Sequence, residues 1–229
     1  MGFSRNILPR RTQAGEVLTC SMAGIGMRFA ARPDMEANIE DTLLFASEAG
    51  MLRDDLRVLS ILVNWWGAHC PWVNADRLTR IVALQEHQRV RTFWSAAACW
   101  MVKDRRFSRM TRLHEGPCMD LLAVGTEFQL RRHGEDPRFE GGPLRVPANT
   151  LRDRPSDVLS PAELCRRHAV YRHRVMMGPG YRADMWAALE AHPDLSAAAL
   201  ARLTYGSFAT AWQVKRDFAT ARGAFESVM

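Results

Sequence analysis

The sequence predicts a mainly α-helical protein with two three-helix units and a small β-hairpin between them. Apolar residues recur at helical spacing through most of the 229 residues, and they make up 47% of the chain, enough to form substantial cores. Capping residues, glycines and prolines separate the helical segments. Residues 104–158 depart from this pattern because they contain short extended runs, and residues 1–36 are mixed.

Residues 1–36 are expected to form an N-terminal extension, in which "EVLTC" and "GMRFAA" could either pair as short strands or remain without regular structure. A helical domain should follow over residues 37–103. Gly50 is well placed to end its first helix, and Asn74 to begin a later one. The helices predicted for the first three-helix unit are "DDLRVLSILVNWW", "VNADRLTRIV" and "RVRTFWSAAACWM".

The linker over residues 104–158 contains "GTEFQLRRHGEDPRFEGGPLRVP", in which two extended runs flank a turn with Gly, Asp and Pro. This pattern predicts the β-hairpin. A nuclease-like site could draw on the carboxylates near it, which are Glu115, Asp120, Glu127, Glu135 and Asp136. Nothing fixes their geometry, and the sequence has no phosphate-binding loop, nucleophile elbow or HExxH motif. We therefore do not expect an enzyme.

The C-terminal domain is expected over residues 159–229. Ser160 is a good N-cap, Pro161 suits the first helical position, and Glu163 completes a capping box. The helix that starts there should continue to the "GPG" at 178–180. Three further helices are predicted in "YRADMWAALEAHP", "DLSAAALARLTY" and "SFATAWQVKRDF".

The segment "LSAAALARLTYGSFATAWQVKRDF" resembles the helix-turn-helix of bacterial DNA-binding regulators. It has a capped helix, Ala201 where two helices must approach closely, a turn with Gly206, and Ser207 opening a second helix. The resemblance covers about residues 182–218. The spacing from Ala201 to Gly206 is one residue longer than usual, and the 11 residues after Phe218 are too few for a two-stranded wing. The resemblance implies a wingless, three-helix DNA reader and a transcriptional regulator or DNA-associated accessory protein.

Charge favours the same function. The net charge is +6 and comes almost entirely from arginine, which suits contacts to phosphate or guanine. One basic run, "KDRRFSRMTR", spans residues 103–112, and another follows Leu164. Phosphate contacts are expected from Arg166, Arg167, Arg172 and Arg174. In the recognition-like helix, the expected DNA-binding residues are Ser207, Thr210, Gln213, Lys215 and Arg216, with Gln suited to adenine and Arg to guanine.

A protein-docking role is the alternative. Phe208 and Trp212 flank the row that would face the groove, and an exposed Phe–Trp pair is more natural at a protein interface than on a DNA reader. In this hypothesis the chain is an interaction module or a subunit of a larger complex, and Trp65 and Trp66 could extend the docking surface. Because helix-turn-helix readers often pair two half-sites, a homodimer is also expected.

Cysteine usage suggests a reduced, cytoplasmic protein, because the five cysteines are odd in number and widely spread. No apolar stretch is long enough to span a membrane, and we expect no membrane association.

A zinc set could be drawn from His114, Cys118, Cys165 and His168. Since Cys165 and His168 fall inside a predicted helix, where Cys is more often a small core residue, we expect neither a metal nor another cofactor.

Overall fold

The computed structural model describes residues 7–226, and their side chains as far as residue 223. The chain is mainly helical. The α-helices are α1 (Gly15–Gly24), α2 (Ile39–Leu52), α3 (Leu56–His69), α4 (Ala75–Ala83), α5 (Gln88–Trp100), α6 (Thr126–His133), α7 (Pro161–Arg167), α8 (Ala169–Met177), α9 (Tyr181–Ala191), α10 (Ala197–Leu203) and α11 (Phe208–Glu226). Short 3₁₀ turns lie at Cys70–Trp72, Arg105–Phe107, Met110–Arg112 and Pro155–Asp157.

The predicted β-hairpin is wrong. Its first run forms α6, which starts after Gly125 and ends at Gly134; both glycines have a positive φ. Basic residues occupy the last turn of α6, where they complement the helix dipole. The two strands, β1 (Met119–Asp120) and β2 (Leu144–Arg145), pair in parallel. A single antiparallel bridge between Glu135 and Pro147 is all that remains of hairpin-like pairing in this region.

The N-terminal region also differs from the expectation of strands. All of "EVLTC" lies in α1, and Leu18 and Met22 are buried on one face of that helix. Ile25 and Met27 continue the same apolar surface into the main core. Residues spaced by about four positions on a helix share a face, so this short segment packs as a helix even though its composition suits a strand.

The main core is built around α2, α3 and α5 and is rich in aromatic side chains. Trp65, Trp66 and Trp94 are fully buried. The indole N–H of each one donates a hydrogen bond, to the carbonyl oxygens of Ile25 (2.7 Å) and Ala97 (3.1 Å) and to the hydroxyl of Ser47 (2.9 Å). Burial of a Trp side chain is favourable when its polar N–H has a partner.

The helix expected from Ser160 onward has the predicted capping box, with Ser160 and Glu163 bonded reciprocally. It breaks, however, at His168, which takes an extended backbone conformation and caps α8 by accepting from the N–H of Tyr171. His168 Nε2 lies 3.0 Å from the carbonyl oxygen of Ala37 on the main body. Tertiary contact therefore divides the predicted helix in two.

The described residues form two apolar cores, and the boundary between these cores lies later in the chain than the expected domain boundary at residue 159. Leu159, Leu164 and Tyr171 belong to the main core together with α1–α5. A second, smaller apolar cluster begins only in α9, after the break at Gly178. The C-terminal unit with its own core is thus α9–α11, and α7 and α8 are part of the main body. In the described part of the chain, no helix is both long and apolar enough to cross a membrane.

Candidate nucleic-acid interface

Helices α9, α10 and α11 pack around a shared apolar cluster. Its buried members are Met185, Leu189, Leu200, Ala201, Ala211 and Val214. Trp186 and Phe218 close its edge, with ring centroids 5.2 Å apart in an edge-to-face arrangement. Ala201 lies at the contact between α10 and its neighbours, where a small side chain lets helices approach closely. The resulting three-helix frame holds α11 by one face only.

The turn between α10 and α11 is tightly determined. Tyr205 has a left-handed backbone with φ of 58°. Gly206 follows, and a Cβ there would lie 2.2 Å from the Cε atom of Met185. The Ser207 hydroxyl then accepts a hydrogen bond from the backbone N–H of Thr210 (3.0 Å), which caps α11. A side chain at Gly206 would therefore require the flexible end of the Met185 side chain to move.

The outward face of α11 carries two aromatic rings and one arginine. Ala211 and Val214 are fully buried, whereas Phe208 is 60% and Trp212 is 53% exposed. The Arg216 guanidinium lies over the Trp212 ring, 5.3 Å from its centroid, in a cation–π contact. The exposed face therefore centres on Trp212 and Arg216, whereas Gln213, which the sequence predicts in the same groove-facing row as Arg216, is half-buried.

Other predicted DNA-binding side chains of α11 have partners within the protein. Gln213 donates to Asp217 (2.9 Å), which also accepts from Arg182 (2.8 Å). The hydrogen bond from Arg182 lowers the pKa of Asp217, so this carboxylate keeps its charge. The Thr210 hydroxyl bonds the Ser207 hydroxyl (2.7 Å), and the Lys215 ammonium donates to the carbonyl oxygen of Leu195. Gln213 would have to leave Asp217 before it could contact a base.

The four arginines expected to contact phosphate have different environments. Arg166 and Arg167 are exposed at the end of α7. Arg172 forms an ion pair with Glu190 (3.1 Å). Arg174 is fully buried, and the prediction that it contacts phosphate is wrong. The helical spacing that grouped it with the others did not reveal that its side chain points into the protein.

Arg174 instead lies at the centre of a buried ionic cluster that joins α9 to the main body. Its guanidinium contacts Glu40 in α2 (2.6 Å) and Asp184 in α9 (2.7 Å). Burial would raise the pKa of Glu40, but Arg174 and Arg77 outweigh it and lower that pKa. For Asp184, burial outweighs the same kind of attraction and the pKa is raised. No pattern in the sequence predicts this cluster, because charged residues on amphipathic helices are usually exposed.

Tyr205 fixes the turn before α11 to this cluster. Its hydroxyl donates to Asp41 (2.8 Å), and its ring lies under the Arg77 guanidinium at 3.7 Å from the centroid. Arg77 also pairs with Asp41. Burial raises the pKa of Tyr205 to about 12, so the phenol stays protonated and remains a donor. The turn is thus anchored to α2 and α4.

The residues predicted for the wider docking surface and for a zinc set do not come together in the fold. Trp65 and Trp66 are buried, so they cannot extend a docking surface. His114 bonds Thr92, and His168 bonds Ala37, in separate parts of the fold. Within residues 7–226 no group of three or more His, Cys, Asp or Glu side chains is arranged to hold a metal ion.

The carboxylates of the predicted linker do not form a nuclease-like set. Three of the five pair instead with arginines: Asp120 with Arg145 (2.7 Å), Glu127 with Arg131 (3.2 Å) and Asp136 with Arg138 (2.6 Å). Searches against protein families, curated proteins and solved structures found no match to this chain.

Proposed function

We propose that this protein binds duplex DNA through α9–α11, as a bacterial-type regulator or a DNA-associated accessory protein. The observation that carries the proposal is the α10–turn–α11 frame, in which one face of α11 packs on the unit's core and the other is exposed. A recognition helix needs this arrangement, because it must be held rigidly and still enter the major groove.

Arg216 is the residue we assign to base contact. It projects from the exposed face of α11, and its cation–π contact with Trp212 limits its conformational freedom before DNA arrives. Arginine pairs with guanine through two hydrogen bonds in the major groove. Arg202 is exposed near the end of α10, and we assign it to the phosphate backbone, since the first helix of the motif crosses that backbone.

The salt dependence of binding tests this proposal. We expect dissociation constants in the micromolar range for a mixed-sequence duplex at about 50 mM salt, with affinity falling steeply as salt is raised. Fluorescence anisotropy with a labelled duplex measures both quantities. Absence of binding at low salt, or binding indifferent to salt, would contradict the proposal.

A second function is favoured by the exposure of Phe208 and Trp212. Two large aromatic side chains one helical turn apart, with Arg216 beside them, would suit a partner protein that presents an apolar patch bordered by carboxylates. In that case Trp212 is the energetic centre, because buried Trp is a common hot spot at interfaces. Trp212→Ala should then abolish complex formation and leave DNA affinity unchanged.

A further inference from the structure

A cavity of about 780 Å³ lies between α4, the 3₁₀ turns of residues 105–113, and the Pro179–Gly180 link into α9. Its size suits a small organic ligand. Its walls include three of the five basic residues in the run that the sequence places at residues 103–112. This cavity lies on the main body and at the start of α9, away from the exposed face of α11.

The charge of the cavity is strongly positive. Four arginines and one aspartate line it: Arg80, Arg105, Arg106, Arg109 and Asp76. Arg80 pairs with Asp76 (3.0 Å), and Arg106 pairs with Asp104 (2.5 Å). The Asp76 carboxylate also accepts from the Tyr181 hydroxyl (3.0 Å), so its charge is already engaged. Arg105 and Arg109 are exposed and have no ion pair with any described residue, so two positive charges remain to meet an anion.

Two buried polar atoms on the cavity wall lack partners. Asn74 is only 2% exposed, and its side-chain oxygen caps α4 by accepting from the N–H of Arg77. Its side-chain amide Nδ2 has no hydrogen-bond partner among the described residues, and neither has the buried hydroxyl oxygen of Thr79. Buried polar groups are nearly always hydrogen-bonded, so both atoms indicate a missing partner with acceptor oxygens.

The N-terminus of α9 adds a third feature. Gly180 is its N-cap and supplies no side chain to bond the first backbone N–H groups of the helix. Gly180 and Tyr181 both line the cavity. The N-terminal end of a helix also carries a partial positive charge, which favours an anion beside it.

We infer that this cavity binds a small phosphate-bearing anion. Arg105 and Arg109 neutralise its charge, the positive end of the α9 dipole lies beside it, the Asn74 amide donates to its oxygens, and the Thr79 hydroxyl supplies a further donor. Because the ligand touches both α4 and the first residues of α9, it joins the main body to the three-helix unit. The inference is independent of the DNA-binding proposal.

Isothermal titration calorimetry with inorganic pyrophosphate, and in parallel with adenosine monophosphate, tests the inference. Binding of pyrophosphate alone identifies a free phosphate compound, and tighter binding of the nucleotide identifies a phosphorylated organic molecule. The double change Arg105→Gln with Arg109→Gln should weaken binding about tenfold or more, since charge-assisted bonds are lost. Thr79→Val keeps the side-chain volume and should weaken binding about threefold, with no loss of thermal stability because the hydroxyl has no partner in the free protein.

The control is the double change Arg131→Gln with Arg132→Gln in α6, which removes the same charge from an exposed site. It should leave the affinity within about twofold of wild type, because distant exposed charges are screened. An equal loss in the control and the cavity variants would show non-specific charge attraction and overturn the inference. So would failure of both probes to bind at millimolar concentration, or unchanged affinity in Arg105→Gln with Arg109→Gln.

Discussion

The Tyr205 hydroxyl donates a 2.8 Å hydrogen bond to the Asp41 carboxylate, across 164 residues of sequence. Tyr205 belongs to the turn before α11, and Asp41 to the first turn of α2. The contact is buried and is reinforced by the Arg77 guanidinium, which pairs with Asp41 and stacks on the Tyr205 ring. It holds the turn before α11 at a defined place on the main body.

Tyr205→Phe should lower the free energy of unfolding by about 1–3 kcal/mol. The change removes two hydrogen bonds, because the hydroxyl also accepts from the backbone N–H of Arg10 (3.3 Å), and it leaves the Asp41 oxygen without its donor in a buried site. Urea denaturation followed by circular dichroism measures the effect. Tyr181→Phe is the matched control, because its hydroxyl bonds Asp76, whose side chain is 43% exposed and can bond water instead. Equal losses in both variants would show that the Tyr205 contact has no special role.

Arg174→Met should destabilise the protein by about 3–5 kcal/mol, because Glu40 and Asp184 would be left buried without their shared cation. Arg172→Met should cost less than about 1 kcal/mol, since its ion pair with Glu190 is exposed to solvent. The two residues are close neighbours in one helix with the same side chain, so thermal melts of the pair isolate the effect of burial. Similar melting temperatures for the two variants would rule out the ionic anchor.

Acid should destabilise the protein as the pH falls from 6.5 towards 4. Burial lowers the pKa of His69 and of His168 to about 4, so both stay neutral in the folded state while the unfolded chain takes up protons. Above pH 6.5 the two histidines make their full contribution to the free energy of unfolding. Between pH 6.5 and about 4, each histidine loses up to about 1.4 kcal/mol of that contribution per pH unit. The pKa values of Asp41 and Asp184 are raised in the folded state. Protonation of these two carboxyl groups at lower pH therefore stabilises the folded state and opposes the effect of the histidines.

His69→Gln isolates one part of this pH dependence. His69 lies between the Tyr171 hydroxyl (2.7 Å) and the carbonyl oxygen of Leu159 (2.9 Å), and a glutamine amide offers an acceptor and a donor without titrating. Free energies of unfolding measured from pH 7 to pH 4.5 should fall less steeply in the variant than in wild type. Parallel curves would mean that His69 does not titrate on unfolding.

Short-range patterns in the sequence were enough to predict where several helices begin. Ser160 with Glu163, Asn74 and Ser207 all cap helices where the sequence predicts them, because a cap depends on residues only three positions away. The apolar positions Ala211 and Val214 are buried as their helical spacing predicts. Such features need no knowledge of the rest of the fold.

Features that depend on distant contacts were missed. The burial of Arg174 requires Glu40, which is 134 residues away, and the break at His168 requires Ala37. The extended runs before and after Gly134 looked like paired strands, yet α6 forms because flanking glycines start and stop it. Charge and short-range pattern could not distinguish an arginine facing solvent from one facing a buried carboxylate.

Duplex binding by Arg216→Ala and Trp212→Ala, on a duplex selected in vitro and on a scrambled one, tests the central claim most directly. Arg132→Ala in α6 is the control, because it also removes one exposed arginine. We expect Arg216→Ala to weaken binding to the selected duplex by about 1–3 kcal/mol and to reduce the preference over the scrambled duplex, while Arg132→Ala changes neither. If Arg216→Ala binds the selected duplex with the affinity and preference of wild type, the exposed face of α11 does not read DNA.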